Sequence, residues 1–176
     1  MTDSNDDQIV VDGPMLVERL QSAGIIVERA DDLELTDEFR TTWQSRMDEI
    51  GDEDTLRDVV AEKFDLDPDG LTFSEREDNQ FEVHHDDVEI ETWSSKSTLV
   101  ADLTLDQLLN EWFPLWERLD GFSRGELLSR LRGFLEECPI CDGHLELIED
   151  ADPADGTDVT LVCTACDRTV FDGTFF

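Results

Sequence analysis

All four cysteines of this 176-residue chain fall into two short pairs near its C-terminal end. The first pair is Cys138 and Cys141, and the second is Cys163 and Cys166; we call each Cys-x-x-Cys turn a knuckle. This spacing places both thiolates of a pair on one tight turn, aimed at the same point. Two knuckles supply four sulfurs, the ligand set of a closed tetrahedral Zn²⁺ site with Zn–S bonds of about 2.3 Å. The pattern therefore predicts a structural Zn(Cys)4 site.

The 21 residues between the knuckles have the pattern of a β-hairpin. The stretches 144–148 and 159–162 predict two strands, and the acidic segment 149–156 predicts the tip between them. A last strand is predicted from Thr169 to Phe175 and Phe176, which we expect to pack under this sheet or against a second chain. Such a sheet would hold the four sulfurs in register.

Residues 138–176 resemble zinc ribbons of the CPxCG type. Pro139 lies inside the first knuckle, where its ring fixes φ, and Gly143 follows, where glycine permits a positive φ that turns N–H groups toward the thiolates. Asp167 stands where the family often has glycine after the second pair, and aspartate tolerates the same conformation. The whole chain is similar to uncharacterised proteins of halophilic archaea with an α+β body and a C-terminal zinc ribbon. The resemblance implies a metal-binding ribbon and no particular activity.

Four thiolates also suit iron, as in a rubredoxin-like electron-transfer site, and each pair alone has the spacing of a dithiol redox motif. Rubredoxins are normally minimal proteins, whereas these knuckles follow a body of ordinary domain size. Two matched pairs at hairpin spacing are better explained by one shared metal than by redox dithiols. We therefore predict Zn²⁺, with iron as the alternative, on Cys138, Cys141, Cys163 and Cys166.

The net charge of −33 results from 46 acidic residues against 13 basic ones. Such self-repulsion expands an ordinary domain at low ionic strength, but in molar salt the Debye length shrinks to about 3 Å. Hydrophobic residues make up 39% of the chain and are interleaved with the acids, unlike in a disordered acidic tail. The composition thus predicts a solvated acidic surface adapted to very high salt, and it disfavours non-specific attraction to nucleic acid or anionic membranes.

A cytoplasmic location is predicted from the same features. Residues 1–12 form an acidic leader that lacks the positive and apolar regions of a signal peptide, and no stretch approaches 18 apolar residues. Cysteines confined to a metal-binding pattern agree with a reducing compartment. We expect no membrane segment.

The body, residues 13–137, is predicted to be α+β and mainly helical. Thr36 predicts the N-cap of one helix, and Ser123 with Glu126 predicts a capping box for a last helix that runs directly into Cys138. Apolar residues recur at helical spacing in five stretches: 13–23, 37–50, 53–64, 94–119 and 123–135. Pro114 interrupts the fourth stretch and is predicted either to kink one helix or to begin a second.

The strands of the body are predicted to form small antiparallel hairpins. Residues 25–27 and 33–35 predict one hairpin, and 81–83 with 88–93 predict another that turns at 84–87. A further strand is predicted near Leu71. The chain is thus predicted to consist of a flexible leader, an α+β body and a zinc ribbon: 1–12, 13–137 and 138–176.

Few other residues indicate chemistry, and we predict a non-enzymatic protein with no catalytic residue. His144 is expected to be a surface strand residue, because four thiolates already fill a zinc shell. His84 and His85 are expected to belong to a polar turn, since adjacent strand residues point to opposite faces. Carboxylates are so abundant that they indicate no acid–base pair.

The predicted function is an interaction or regulatory role with a protein partner. The alternative is a DNA-binding transcriptional regulator, because residues 13–39 resemble part of a degenerate winged helix. Zinc ribbons that bind nucleic acid use basic and aromatic residues, yet this ribbon has nine acids and one base, Arg168. Basic residues balance acids only in the segment before the ribbon, which contains Arg118, Arg124, Arg130 and Arg132.

Overall fold

A computed structural model describes residues 13–50, 52–141, 143–152 and 156–175. The predicted leader and the side chains of Phe175 and Phe176 lie outside this description. The described residues form five α-helices and three small antiparallel sheets, so the predicted α+β class is confirmed. Among them, no helix is long and apolar enough to cross a bilayer.

The elements alternate between helices and hairpins in the body and end in three strands. Two short 3₁₀ helices, Pro68–Gly70 and Trp116–Arg118, lie between them. In chain order the elements are α1 (Gly13–Ser22), β1 (Ile26–Arg29), β2 (Asp32–Leu35), α2 (Asp37–Glu49), α3 (Glu53–Phe64), β3 (Leu71–Glu75), β4 (Phe81–His85), β5 (Val88–Trp93), α4 (Lys96–Trp112), α5 (Gly121–Arg132), β6 (Leu145–Asp152), β7 (Gly156–Cys163) and β8 (Thr169–Phe175).

The first hairpin and the start of α2 follow the sequence prediction. Ala30 and Asp31 both have positive φ, at 50° and 69°, so a two-residue turn joins β1 to β2. Thr36 caps α2, because its hydroxyl oxygen accepts a hydrogen bond from the Phe39 N–H at 3.2 Å. The same hydroxyl donates to the Gly24 carbonyl at 2.6 Å, which fixes the entry of the helix.

The core of the body is built around α4, which packs against α2, α3, α5 and β8. Phe39, Trp43 and Met47 of α2 are fully or almost fully buried, as the helical stripe predicted. Trp43 donates its indole N–H to the hydroxyl of Thr104 on α4, over 2.9 Å. Ten residues of α4 are buried, so this helix is enclosed on most sides.

The predictions around Pro114 and Ser123 need correction. Helix α4 ends at Trp112, and Pro114 is followed by a 3₁₀ helix, so it neither kinks a longer α-helix nor begins one. Helix α5 is capped by Asp120, whose carboxylate accepts from the Ser123 N–H at 2.7 Å. The predicted capping box is therefore wrong: its serine lies inside the first turn. Helix α5 also ends at Arg132, and five residues separate it from Cys138, so it does not run directly into the first knuckle.

The two larger sheets have the orders β3-β4-β5 and β6-β7-β8. The turn between β4 and β5 is only Asp86 and Asp87, with φ of 51° and 68°, so His84 and His85 belong to the strand. Strands β6 and β7 pair across eight positions and reach into the acidic segment predicted as the hairpin tip. The third sheet joins the body core through the buried residues Leu145, Val159, Leu161, Val170 and Phe171.

Candidate metal centre

The four cysteine sulfurs converge at one point. All four Sγ atoms lie within 4.8 Å of one another, with Cys138 and Cys166 at 3.8 Å and Cys141 and Cys163 at 3.4 Å. A tetrahedron with bonds of about 2.3 Å from metal to sulfur has edges of roughly 3.8 Å. The donor set and its spacing therefore fit a tetrahedral metal ion of the zinc type.

The first knuckle lies between the body and β6. An isolated bridge pairs Glu137 with His144, and the Cys138 N–H donates to the Gly143 carbonyl at 2.8 Å. These contacts close a short loop on either side of Cys141. The φ angle of Gly143 is defined with the carbonyl carbon of Asp142, which lies outside the described residues. The positive φ expected for Gly143 therefore stays a prediction.

Gly143 is required for space. A Cβ at this position would lie 2.8 Å from the Cβ of Ala165 and 2.8 Å from the Cys163 sulfur. It would also lie 3.2 Å from the Cys141 sulfur. Only a residue without a side chain lets the two knuckles approach this closely.

The second knuckle links the end of β7 to the start of β8. The Asp167 N–H donates to the Cys163 carbonyl at 3.0 Å, and the Cys163 N–H donates to the Arg168 carbonyl at 2.9 Å. Asp167 has a φ of 61°, the left-handed conformation predicted for this position. The turn directs the N–H groups of Ala165 and Cys166 at the Cys163 sulfur, at 3.4 and 3.5 Å.

These backbone donors favour the ionised form of Cys163. Burial raises the pKa of this thiol, but the N–H groups of Cys166 and Ala165 and the neighbouring thiols lower it to about 7. A thiolate is the form that binds a metal, so the knuckle prepares one ligand before the metal arrives.

Two residues beside the sulfurs were missed by the sequence analysis. The hydroxyl of Ser97, on α4, lies 3.3 Å from the Cys138 sulfur, and both residues are fully buried. Arg168 contacts Cys166 and also reaches Glu75 on β3, at 3.1 Å. Nothing in the sequence near Ser97 marks it, because it is 41 residues from Cys138.

The histidines lie outside this cluster. His144 is exposed, and its carbonyl accepts from the Thr164 N–H at 3.0 Å. His84 lies 3.2 Å from Glu82, and His85 lies 3.5 Å from a carboxylate oxygen of its neighbour Asp86. Within the described part of the chain, the four cysteines are the only group of three or more potential metal ligands that converges.

Two arginines of the predicted basic segment are engaged within the protein. Arg124 stacks on Trp116, with its guanidinium carbon 5.4 Å from the ring centroid. Arg132 pairs with the largely buried Asp102 at 3.0 Å and donates to the Val170 carbonyl at 3.0 Å. These contacts hold Arg124 and Arg132 against the protein, whereas Arg118 and Arg130 are exposed. The DNA-binding alternative stays a prediction.

The fold also contains open clefts. One of about 410 Å³ lies between α3, α4 and the second 3₁₀ helix, where Lys63 contacts Asp106 at 3.2 Å and Trp116 donates to the same carboxylate at 3.0 Å. Another, of about 420 Å³, lies between α2 and residues 134–137. Lys63, Asp106 and Trp116 of the first cleft thus bind one another.

Comparison with known proteins identifies a family for the body. Residues 15–133 match a family described as the central domain of DUF8054, a family of unknown function. No curated protein and no solved structure matches the chain. The match covers more than half of the chain and ends before the first knuckle.

Proposed function

The chain belongs to the DUF8054 family, and we propose that it is a non-enzymatic protein whose C-terminal ribbon is folded around a structural Zn(Cys)4 centre. The observation that carries the proposal is the convergence of four sulfurs within 4.8 Å. Four thiolates complete a tetrahedral shell, which leaves no position open for a substrate or an activated water. Catalytic zinc sites, in contrast, keep such a position.

The small size of the ribbon supports a structural role for the metal. Few of the ribbon's described residues are buried, and those residues pack in one cluster with the core of the body. Structural zinc supplies an apparent binding free energy of roughly 10–16 kcal/mol in small modules, which is comparable to the stability of a whole domain. Zinc has no redox chemistry and no geometric preference from d-electrons, so a tetrahedral sulfur shell suits it.

Metal analysis of protein purified in high salt tests this proposal. We expect one zinc per chain in the parent protein and little in Cys163→Ser. Ser74→Ala, at an exposed position of β3, is a matched control and should retain the metal. A red, reversibly reducible, iron-containing preparation would instead support the rubredoxin-like alternative and overturn the structural zinc proposal.

The interaction role is proposed from the free edge of the ribbon. Among the residues that the structure describes, strand β6 pairs only with β7, and it carries two exposed apolar side chains, Leu147 at 54% and Ile148 at 50%. Apolar residues on an unpaired strand edge are a common site for another chain to pair. We propose that a protein partner binds along this edge in the high-salt cytoplasm.

Affinity purification with matched variants tests the edge. Leu147→Asp should abolish retention of partner proteins, while Val88→Asp should not, since Val88 is 63% exposed on a different sheet. Equal retention by the parent and both variants would place the partner elsewhere and overturn the proposal for β6.

A further inference from the structure

We propose that the DUF8054 body completes the metal centre, so that metal binding and docking of the ribbon are coupled. Ser97 of the body is the positioning residue for Cys138, and Arg168 of the ribbon, held by Glu75 of the body, is the positioning residue for Cys166. This inference rests on the proposed metal site. It adds that the ribbon is not an independent zinc module.

The contact between Ser97 and Cys138 joins two distant parts of the chain. The Ser97 hydroxyl lies 3.3 Å from the sulfur, and neither residue is exposed to solvent. Burial raises the pKa of the Cys138 thiol, and the hydrogen bond from Ser97 partly offsets this rise. When a metal occupies the site, the hydroxyl donates to a sulfur that is otherwise shielded from water.

The N-terminus of α4 also favours negative charge at the ribbon. Ser97 lies in the first turn of this 17-residue helix, whose N-cap is Ser95. Helix N-termini carry a partial positive charge that stabilises nearby anions within about one turn. Four thiolates on a divalent ion have a net negative charge, so the first turn of α4 supplies both a donor and a favourable dipole.

The start of β8 is fixed by the same turn of α4. The hydroxyls of Ser95 and Thr98 both donate to the Thr169 carbonyl, the second over 3.0 Å. From α5, Arg132 donates to the Val170 carbonyl over 3.0 Å. The strand that leaves the second knuckle is therefore bound to two helices of the body.

Arg168 provides a matching contact on the other side of the second knuckle. Its Nη2 lies 3.2 and 3.1 Å from the two carboxylate oxygens of Glu75, and Asn79 donates to the Asp167 carbonyl at 3.2 Å. Burial lowers the pKa of Arg168, but Cys166 and Glu75 outweigh it and raise the pKa. A fixed cation beside Cys166 offsets the charge of the thiolates.

These contacts couple metal affinity to docking. Partners in the shell around metal ligands typically contribute 10–100-fold to affinity. By thermodynamic linkage, a body that strengthens metal binding must be held more firmly to the ribbon when the metal is bound. Removal of the metal should therefore loosen the first turn of α4, although that turn lies far from the cysteines in sequence.

A metal titration of the full chain tests the role of Ser97. The parent, Ser97→Ala and Ser97→Thr are titrated with Co²⁺ and then with Zn²⁺ against a chromophoric chelator. Ser45→Ala, exposed on α2, is the control. In Ser97→Ala we expect the Kd for Zn²⁺ to rise about 10–100-fold and the sulfur-to-cobalt charge-transfer band to shift to lower energy. In Ser97→Thr we expect the affinity and the band position of the parent.

The outcomes separate this inference from the metal proposal. If the parent binds neither metal, the zinc proposal fails and this inference fails with it. If the parent binds zinc but Ser97→Ala stays within threefold in affinity with an unchanged band, only the role of Ser97 is overturned. At full cobalt loading, a shift of this band reports a change at the metal-bound sulfur, which a lower metal affinity alone does not produce.

Hydrogen exchange tests the coupling itself. Removal of zinc from the parent should accelerate amide exchange at residues 95–98 more than in α2. Equal protection of residues 95–98 with and without zinc would overturn the coupling.

Discussion

Replacement of Thr104 by valine should destabilise the body, because it removes the acceptor for a fully buried indole. Trp43 and Thr104 are both 0% exposed, and the indole N–H donates to the threonine oxygen at 2.9 Å. Thr104 in turn donates to the Val100 carbonyl at 2.8 Å. Valine has the same shape as threonine, so the substitution leaves the packing intact and the N–H of Trp43 without a partner.

The cost follows from the desolvation of that N–H group. A buried polar group without a partner costs about 1–3 kcal/mol. For a chain of this size, each 1 kcal/mol corresponds to a Tm change of about 2–4 °C. We therefore expect Thr104→Val to lower the Tm of the metal-loaded protein by about 2–12 °C.

Thermal and urea unfolding in high salt measure the effect. The matched control is Thr42→Val, since the Thr42 hydroxyl also donates to a helix carbonyl, at 2.8 Å, but lies at the surface. We expect the control to change the free energy of unfolding by less than about 0.5 kcal/mol. In a Trp43→Phe background, Thr104→Val should cost much less. Equal costs for the two valine variants, or no coupling to Trp43, would refute this reasoning.

Three further predictions address the cap, an ion pair and the knuckles. Asp120→Ala should lower the free energy of unfolding by about 1 kcal/mol, while Ser123→Ala should leave it nearly unchanged, because Asp120 is the N-cap of α5. Burial raises the pKa of Asp102 from 3.8 to about 6, despite the nearby Arg132. The protonated carboxyl therefore stabilises the protein below about pH 4, and this stabilisation is lost as the pH rises through about 6. In urea unfolding, the free energy of unfolding should fall over this range in the parent, and the fall should be smaller in Asp102→Asn by up to about 3 kcal/mol. Gly143→Ala should weaken zinc binding in a chelator competition, because the added Cβ would lie 2.8 Å from the Cys163 sulfur. The first prediction would be contradicted by equal free energies of unfolding for Asp120→Ala and Ser123→Ala. Parallel pH curves for the parent and Asp102→Asn would contradict the second, and an unchanged zinc affinity in Gly143→Ala would contradict the third.

The regular parts of the fold could be predicted because they depend on local patterns. The stripe of Phe39, Trp43 and Met47 has helical spacing, and Thr36 is followed by a helix that its hydroxyl can cap. The cysteine pairs likewise determine their own geometry, since each knuckle brings its two sulfurs together through a short turn. These features need no knowledge of distant contacts.

The features that were missed depend on tertiary contacts. Asp120 and Ser123 are both good N-cap residues, and the choice between them is made where α5 meets the preceding 3₁₀ helix. Ser97 and Thr104 are polar, yet α4 buries both, because their partners Cys138 and Trp43 come from other parts of the chain. A periodicity argument treats such residues as surface positions.

X-ray absorption at the zinc edge of the full chain tests the central claim most directly, because it reports which atoms surround the metal. We predict four sulfur neighbours at about 2.3 Å and no nitrogen or oxygen in the shell. A shell with three or fewer sulfurs, or a protein that contains iron in place of zinc, would contradict the account.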